Sequence, residues 1–164
     1  MIALGIDPGT ATCGFGVVSM GHDGALRLID AGCIRTAAED DDAARLAELH
    51  GALTALVTLH RPDRFGVERL YFQRNVQTAM AVGQARGIAL LVAAQHGLPV
   101  DEPTPNEVKL AVCGSGAAAK DQVSEMVGRL LGVRLTDAPN DATDALAVAI
   151  GACHRAAARM TPAP

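Results

Sequence analysis

A chain of 164 residues can bury a core as one domain, and 49% hydrophobic against 20% charged residues excludes a disordered polypeptide. No apolar run reaches the length of a membrane span, and no basic region precedes the first hydrophobic stretch. The net charge of −4 argues against a nucleic-acid partner, although two bound divalent cations would cancel it.

In chain order, Ile2 to Asp7 reads as an apolar strand ending on an acid and broken by Pro8-Gly9. Cys13 to Met20 and Ala25 to Arg35 read as two further strands, joined by the hairpin signal Gly21-His22-Asp23-Gly24. The acidic run Glu39-Asp40-Asp41-Asp42 is a solvated loop and helix start. From Asp42 to His60 the period changes, and Leu46, Leu49, Leu53, Leu56 and Leu59 share one helical face. Arg61-Pro62-Asp63 stops that helix, and Arg64 to Leu70 reads as a strand carrying Glu68 in a mainly apolar setting.

A long helix follows from about Asn75 to His96. Its Ala79, Gly83 and Gly87 fall at i, i+4 and i+8, which lets another backbone approach, the sheet's or that of a second copy, with the sheet favoured. Leu98 to Glu102 is a strand, and Thr104-Pro105-Asn106-Glu107 is a capping box with proline at the first helical position. That helix ends near Gly114-Ser115-Gly116, and two more run from about Ala118 to Leu131 and Asp141 to Arg159, the last with Asn140 as N-cap. The expected architecture is α/β: a mixed five-stranded sheet, three antiparallel strands then parallel ones, with helices on both faces. The expected organisation is one domain over residues 1–158 and a short disordered tail over 159–164.

Four carboxylates stand in unexpected places. Asp7 ends a strand, Glu68 interrupts an apolar one, and Asp141 and Asp144 at i and i+3 share a face of a helix that is almost wholly apolar from Ala145 onward. Singly, Asp7 is as well explained as a turn acid, and Asp141 and Asp144 as charges complementing a helix dipole. Together they form an oxygen-only ligand set for Mg²⁺ or Mn²⁺, and two such ions activate water against a phosphodiester.

Both lysines, Lys109 and Lys120, flank the loop CGSGAAAK, where either phosphate contact or plain solvation would suit them. Tyr71, Phe72 and Arg74 lie in the segment after Glu68. Tyr71 could stack on an unpaired base or staple the following helix, and packing is favoured for Phe72. Arg86, in GQARG, faces a phosphate or solvent. Ser115 lacks the G-x-S-x-G elbow and the five histidines form no ligand motif, so neither is assigned chemistry. Cys13, Cys33, Cys113 and Cys153 are far apart without C-x-x-C and read as reduced cytosolic thiols.

The segments GIDPGTATCGFGVV, GVERLYFQRN, GQARG, EVKLAVCGSGAAAKDQV and DAPNDATDALAVAI, collinear from about Ile2 to His154, resemble the RuvC crossover junction endodeoxyribonucleases of bacteria. The resemblance implies a ribonuclease H-like fold and a cytoplasmic homodimer that resolves Holliday junctions in recombination and repair. Each subunit would nick one of two like-polarity strands, leaving a 5′-phosphate and a 3′-hydroxyl. Asp7, Glu68, Asp141 and Asp144 would be the metal-binding catalytic acids, with two Mg²⁺ per site and Mn²⁺ able to substitute. Lys109 and Lys120 would contact DNA or the scissile phosphate, Tyr71 would stack near the junction centre, and Arg74 and Arg86 are further DNA-binding candidates. The family acts with the RuvA–RuvB branch-migration motor. Cys13 departs from the family's common Thr, and some relatives carry His where this chain has Asp141. A kinase-like phosphotransferase and a non-catalytic junction binder are the rivals. The first needs two such domains, and the second would gain by shedding acids.

Overall fold

The computed structural model describes residues 1–69, 76–135 and 138–160. Its elements in chain order are β1 (Ile2–Asp7), β2 (Thr12–Met20), β3 (Leu26–Arg35), α1 (Asp42–His60), β4 (Arg64–Val67), α2 (Val76–Gln95), β5 (Val100–Asp101), α3 (Pro105–Cys113), α4 (Lys120–Leu131) and α5 (Asn140–Met160). The strands form one sheet in the order β3-β2-β1-β4-β5. β1, β2 and β3 pair antiparallel, while β4 lies parallel to β1 and β5 parallel to β4, as the sequence pattern requires.

The alternation of strand side chains divides the core in two. Leu4, Ile6, Val17, Phe65 and Val67 point to one face, where α1 lays down Leu49, Leu53 and Val57 and α2 lays down Ala85, Ala89, Val92 and Ala93. Ala3 and Val18 point to the other, against α5, with α3 and α4 packed beyond it. Buried between sheet and helices, α5 is apolar nearly all round: Ala145 to Ile150, Ala152 and Cys153 are all essentially inaccessible.

Several boundaries shift, each for a local reason. β4 stops at Val67 rather than Leu70, because its ladder with β1 ends at the pair Ile6↔Val67; beyond it the Arg69 amide donates to the Pro103 carbonyl instead. Glu68 therefore sits at a strand tip, not inside a strand. β5 shrinks to two residues because Pro99 and Pro103, which have no N–H, bracket it. Leu59 leaves the buried face of α1 and is 72% exposed; ten residues on from Leu49, at ~100° each, it points about 80° away. Asn140 is the first helical residue of α5 rather than its cap, since the Pro139 carbonyl already accepts from the Thr143 amide. α5 continues to Met160, so Arg159 and Met160 are helical. The capping box of α3 forms as expected, with Thr104 and Glu107 exchanging side chain-to-backbone bonds.

The small-residue stripe of α2 does not pack on the sheet as expected. Gly87 is exposed and a side chain there would meet open space. Close approach occurs instead on the sheet itself. A Cβ at Gly5 would collide with the backbone of Ala145 and Ala149, and one at Gly14 with the Asp141 carbonyl. At Gly16 it would come within 2.7 Å of the Leu146 nitrogen, and at Gly66 within 2.9 Å of Val148 Cγ1. Gly14→Ala is expected to lower Tm by about 2–4 °C for each kcal/mol of overpacking strain, with 1–3 kcal/mol typical. Gly51→Ala, on an exposed face of α1 with nothing near, should instead stabilise by about 0.5–1 kcal/mol. Paired thermal melts distinguish the two, and an unchanged Tm for Gly14→Ala would contradict the contact.

Candidate functional site

Strand parity sets the site. Ala3, Gly5 and Asp7 are alternate residues of β1, and Gly5 abuts α5, so Asp7 emerges on the α5 side at the tip of the strand. Val67 is level with Ile6, so Glu68, the next residue, leaves β4 beside Asp7. In β2, Gly14 lies opposite Asp7 and carries no side chain, which lets the first turn of α5 settle there. That turn brings Asp141 and, one turn on, Asp144. Four acids from β1, the end of β4 and α5 thus converge at one edge of the sheet.

Their charges register on one another. Burial pushes the Asp7 carboxyl up to about 7 from an ordinary 3.8, and the charges of Asp144, Glu68 and Asp141 add to the rise while Lys120 opposes it. Glu68 is also raised, first by burial and then by Asp144, against the pull of Lys120 and Lys109. Lys120 Nζ donates to Asp144 Oδ2 at 2.8 Å. That hydrogen bond holds the lysine above its usual value, with the charges of Asp144, Asp7 and Asp141 assisting and its own partial burial opposing. Both loop lysines thus act on the acids, Lys120 as the first residue of α4 and Lys109 from α3.

The donor set suits a hard divalent cation, since it is all carboxylate oxygen. Asp7 is held high first by burial and then by neighbouring negative charge, and a cation among these acids would oppose both. Among the described residues, no three His, Cys, Asp or Glu side chains stand close enough together to hold a metal as they are. The acids feel one another without having closed, and Asp144 is turned to Lys120.

Other expectations fall elsewhere. Arg86 is paired with Glu102 and does not figure among the charges acting on the acids. Tyr71 and Arg74 lie outside the described residues. Cys13 is buried in the core beneath β2, its thiol pushed up to about 12 chiefly by burial. Sequence reading passed over the glycines Gly5, Gly14, Gly16 and Gly66, whose signal was available: they sit at alternate positions in step with Asp7 and Glu68. Cys33, read as a reduced thiol, lies opposite Gly14; its thiol is raised first by its burial, then by Asp141, and is approached by the Ala142 amide.

Residues 3–154 match the family model "Crossover junction endodeoxyribonuclease RuvC". Over 154 residues the chain is 52% identical to the protein of that name from Chloroflexus aurantiacus and 48% to that from Pelotomaculum thermopropionicum, covering 94% of this chain and 92% of each relative. Its fold matches the solved structure of Thermus thermophilus RuvC in complex with Holliday junction substrate with a TM-score of 0.87 at 35% identity, covering 98% of this chain and 96% of that one. The sheet and its helices are therefore of the ribonuclease H-like kind.

The clustered acids oppose folding when no cation is present. Asp7 keeps its proton to about pH 7 when folded but releases it near 3.8 when unfolded. The folded state then binds more protons, and stability falls as pH rises from about 4 through about 7. In EDTA, Asp7→Asn should melt higher than wild type above pH 7, by about 2–4 °C for each kcal/mol relieved, and the gap should close towards pH 4. Added divalent cation should raise the wild-type Tm more than the variant's. Thermal melts across pH check both; a variant that melts lower at high pH would contradict the repulsion.

Proposed function

This chain belongs to the RuvC family of crossover junction endodeoxyribonucleases, and from that premise we propose how its own residues resolve a four-way junction. The family is one of divalent-metal-dependent nucleases, and the observation that carries the reading is the placement of Asp7 and Glu68 on adjacent strand tips with the Asp141 turn of α5 seated on Gly14 beside them. Asp7, Glu68, Asp141 and Asp144 would hold two Mg²⁺, for which Mn²⁺ could substitute. When bound, the cations supply activation of water and stabilisation of the leaving oxygen of the phosphodiester.

The chain's own part is positioning. The tips of β1 and β4 fix Asp7 and Glu68 on rigid backbone, and α5 brings Asp141 and Asp144 to them. Lys120 donates to Asp144 and would serve a phosphate oxygen beside it, while Lys109 acts from the side of Glu68. Tyr71 and Arg74 are carried forward as DNA contacts on the resemblance. The nuclease unit is residues 1–158, its place is the cytoplasm, and among the described residues no helix is long and apolar enough to cross a membrane.

A homodimer acting with RuvA–RuvB is part of the same reading. What supports the dimer is the face of α2 left uncovered: Met80 is 63% and Leu91 47% exposed. With Gly87 they fall within about 40° of one another on the helix. Two copies meeting there would bury both apolar side chains, and Gly87 lets the helices approach. Leu91→Glu is expected to shift the protein from dimer to monomer in light scattering; a dimer that persists in Leu91→Glu and Met80→Glu would place the seam elsewhere.

The activity is tested with a labelled four-way junction, a matched duplex and ATP, with and without Mg²⁺ or Mn²⁺. Symmetric metal-dependent nicks confined to the junction are expected, falling on the order of 10²-fold or more in Asp7→Asn. Binding without cleavage at any metal concentration would sink the reading, and ATP turnover would replace it with phosphotransfer.

A further inference from the structure

At the far end of α5 a second charged group stands apart from the acids. Asp101, at the end of β5 and only 3% exposed, is surrounded by three arginines. Arg64 donates to its Oδ2 through Nε at 3.2 Å and Nη2 at 3.0 Å. Arg155 Nε lies 3.8 Å and Arg159 Nη2 3.6 Å from its Oδ1, beyond hydrogen-bonding distance. Arg155 Nε and Nη2 are buried and have no hydrogen-bond partner among the described residues.

Three guanidinium groups on one carboxylate leave a surplus of two positive charges. Arg69 and Glu107, which interact electrostatically with the same neighbourhood, cancel and leave that surplus unchanged. A structural ion pair would need only Arg64. The other two arginines pair with Asp101 only at 3.8 and 3.6 Å, with Arg155 largely buried at 28% exposure and Arg159 open to solvent at 64%. In a protein of net charge −4 this is a local positive surface against an acidic background.

Its position suggests what it meets. α5 crosses the sheet obliquely, touching β2 at Asp141, β1 at Ala145 and Ala149, β4 at Val148 and Ala152, and the β5 edge at Arg155 and Arg159. At 1.5 Å per residue, Arg155 and Arg159 lie about 16 and 22 Å along the helix from Asp144. A duplex rising 3.4 Å per base pair covers that distance in about five to seven pairs. The guanidinium of Arg159 and the part of Arg155 that remains exposed present positive charge suited to phosphate oxygens.

The geometry points to Arg155 and Arg159 as a phosphodiester-binding surface that holds one junction arm about half a helical turn from the cleavage site. The assignment rests on the junction-resolving reading above. Arg64 and Asp101 anchor the surface to the sheet, and Arg155 and Arg159 supply the charge that DNA neutralises.

The test is the salt dependence of binding to a labelled four-way junction, by fluorescence anisotropy in EDTA. Wild type is compared with Arg155→Gln/Arg159→Gln, with Arg159→Gln alone, and with Arg27→Gln/Arg134→Gln, which removes two exposed arginines elsewhere. Each lost phosphate contact lowers the slope of log K against log salt by about 0.9. The double patch variant should therefore lose between about 1 and 2 units of slope and about tenfold in affinity at low salt. Arg159→Gln, which keeps the buried arginine and hence the fold, should show about half of this, and the distant pair no change in slope. Equal slopes for wild type and both patch variants would overturn the proposal, as would an equal loss in the distant pair, which would mean net charge alone. Patch variants that bind DNA normally but lose a protein partner would reassign the surface to an acidic protein. A wild-type chain that neither binds nor cleaves the junction would instead remove the reading on which the proposal rests.

Discussion

Where Gly5, Gly14 and Gly16 lie, the backbone of α5 rests on strand backbone, and at Gly66 the Val148 side chain takes the space that a Cβ would fill. Helices normally stand about 10 Å from a sheet with side chains filling the gap, which would be too far for short aspartates to reach the strand tips. Removing the Cβ atoms from one face of β1, β2 and β4 lets α5 descend. Only then do Asp141 and Asp144 come within electrostatic reach of Asp7 and Glu68. The opposite face of the same strands carries Leu4, Ile6, Val17, Phe65 and Val67 against α1 and α2. Alternation thus separates the two tasks residue by residue: odd positions of β1 make room for the site, even positions hold the fold together.

The site is a cost that this core has to carry. Four carboxylates gathered in partly buried surroundings repel one another, and the folded chain resists their ionisation. Lys120 offsets part of the repulsion through Asp144, but an ammonium 62% exposed to water is a weak neutraliser. A cation that binds only the folded arrangement would stabilise it by mass action. The carboxylates are therefore arranged for a charge that the polypeptide does not itself provide.

The sequence pattern revealed the elements, the sheet order and the acids because each rests on local periodicity or on a carboxylate in an apolar setting. The limits of the elements were less legible where they depend on partners. Nothing local to Glu68 says that β4 ends at Val67; the limit comes from its ladder with β1, about sixty residues earlier, which closes at Ile6↔Val67. Likewise, Gly83 and Gly87 in α2 carry the same small-residue signal as Gly14 and Gly16 in β2. Gly87 meets open space, while Gly14 and Gly16 meet α5. Spacing announces that a close approach is possible and cannot say to what. Arg86 was ambiguous for a similar reason, since its partner Glu102 lies across β5.

Charge along α5 follows the helix's own field. Its first turn, where unsatisfied amides give a partial positive charge, carries Asp141, with Asp144 one turn on, and its last turns, near the carbonyl end, carry Arg155 and Arg159. Each group occupies the end at which the macrodipole favours it, so one helix can bear opposite charges at both ends at less cost than either would incur at its centre. Burial of the intervening stretch, Ala145 to Cys153, keeps the two ends apart on a rigid rod. A duplex lying along that rod would meet cation-seeking acids where a phosphate must be cut and arginines where one need only be held. The separation between these tasks is then set by the number of helical residues that the width of the sheet requires.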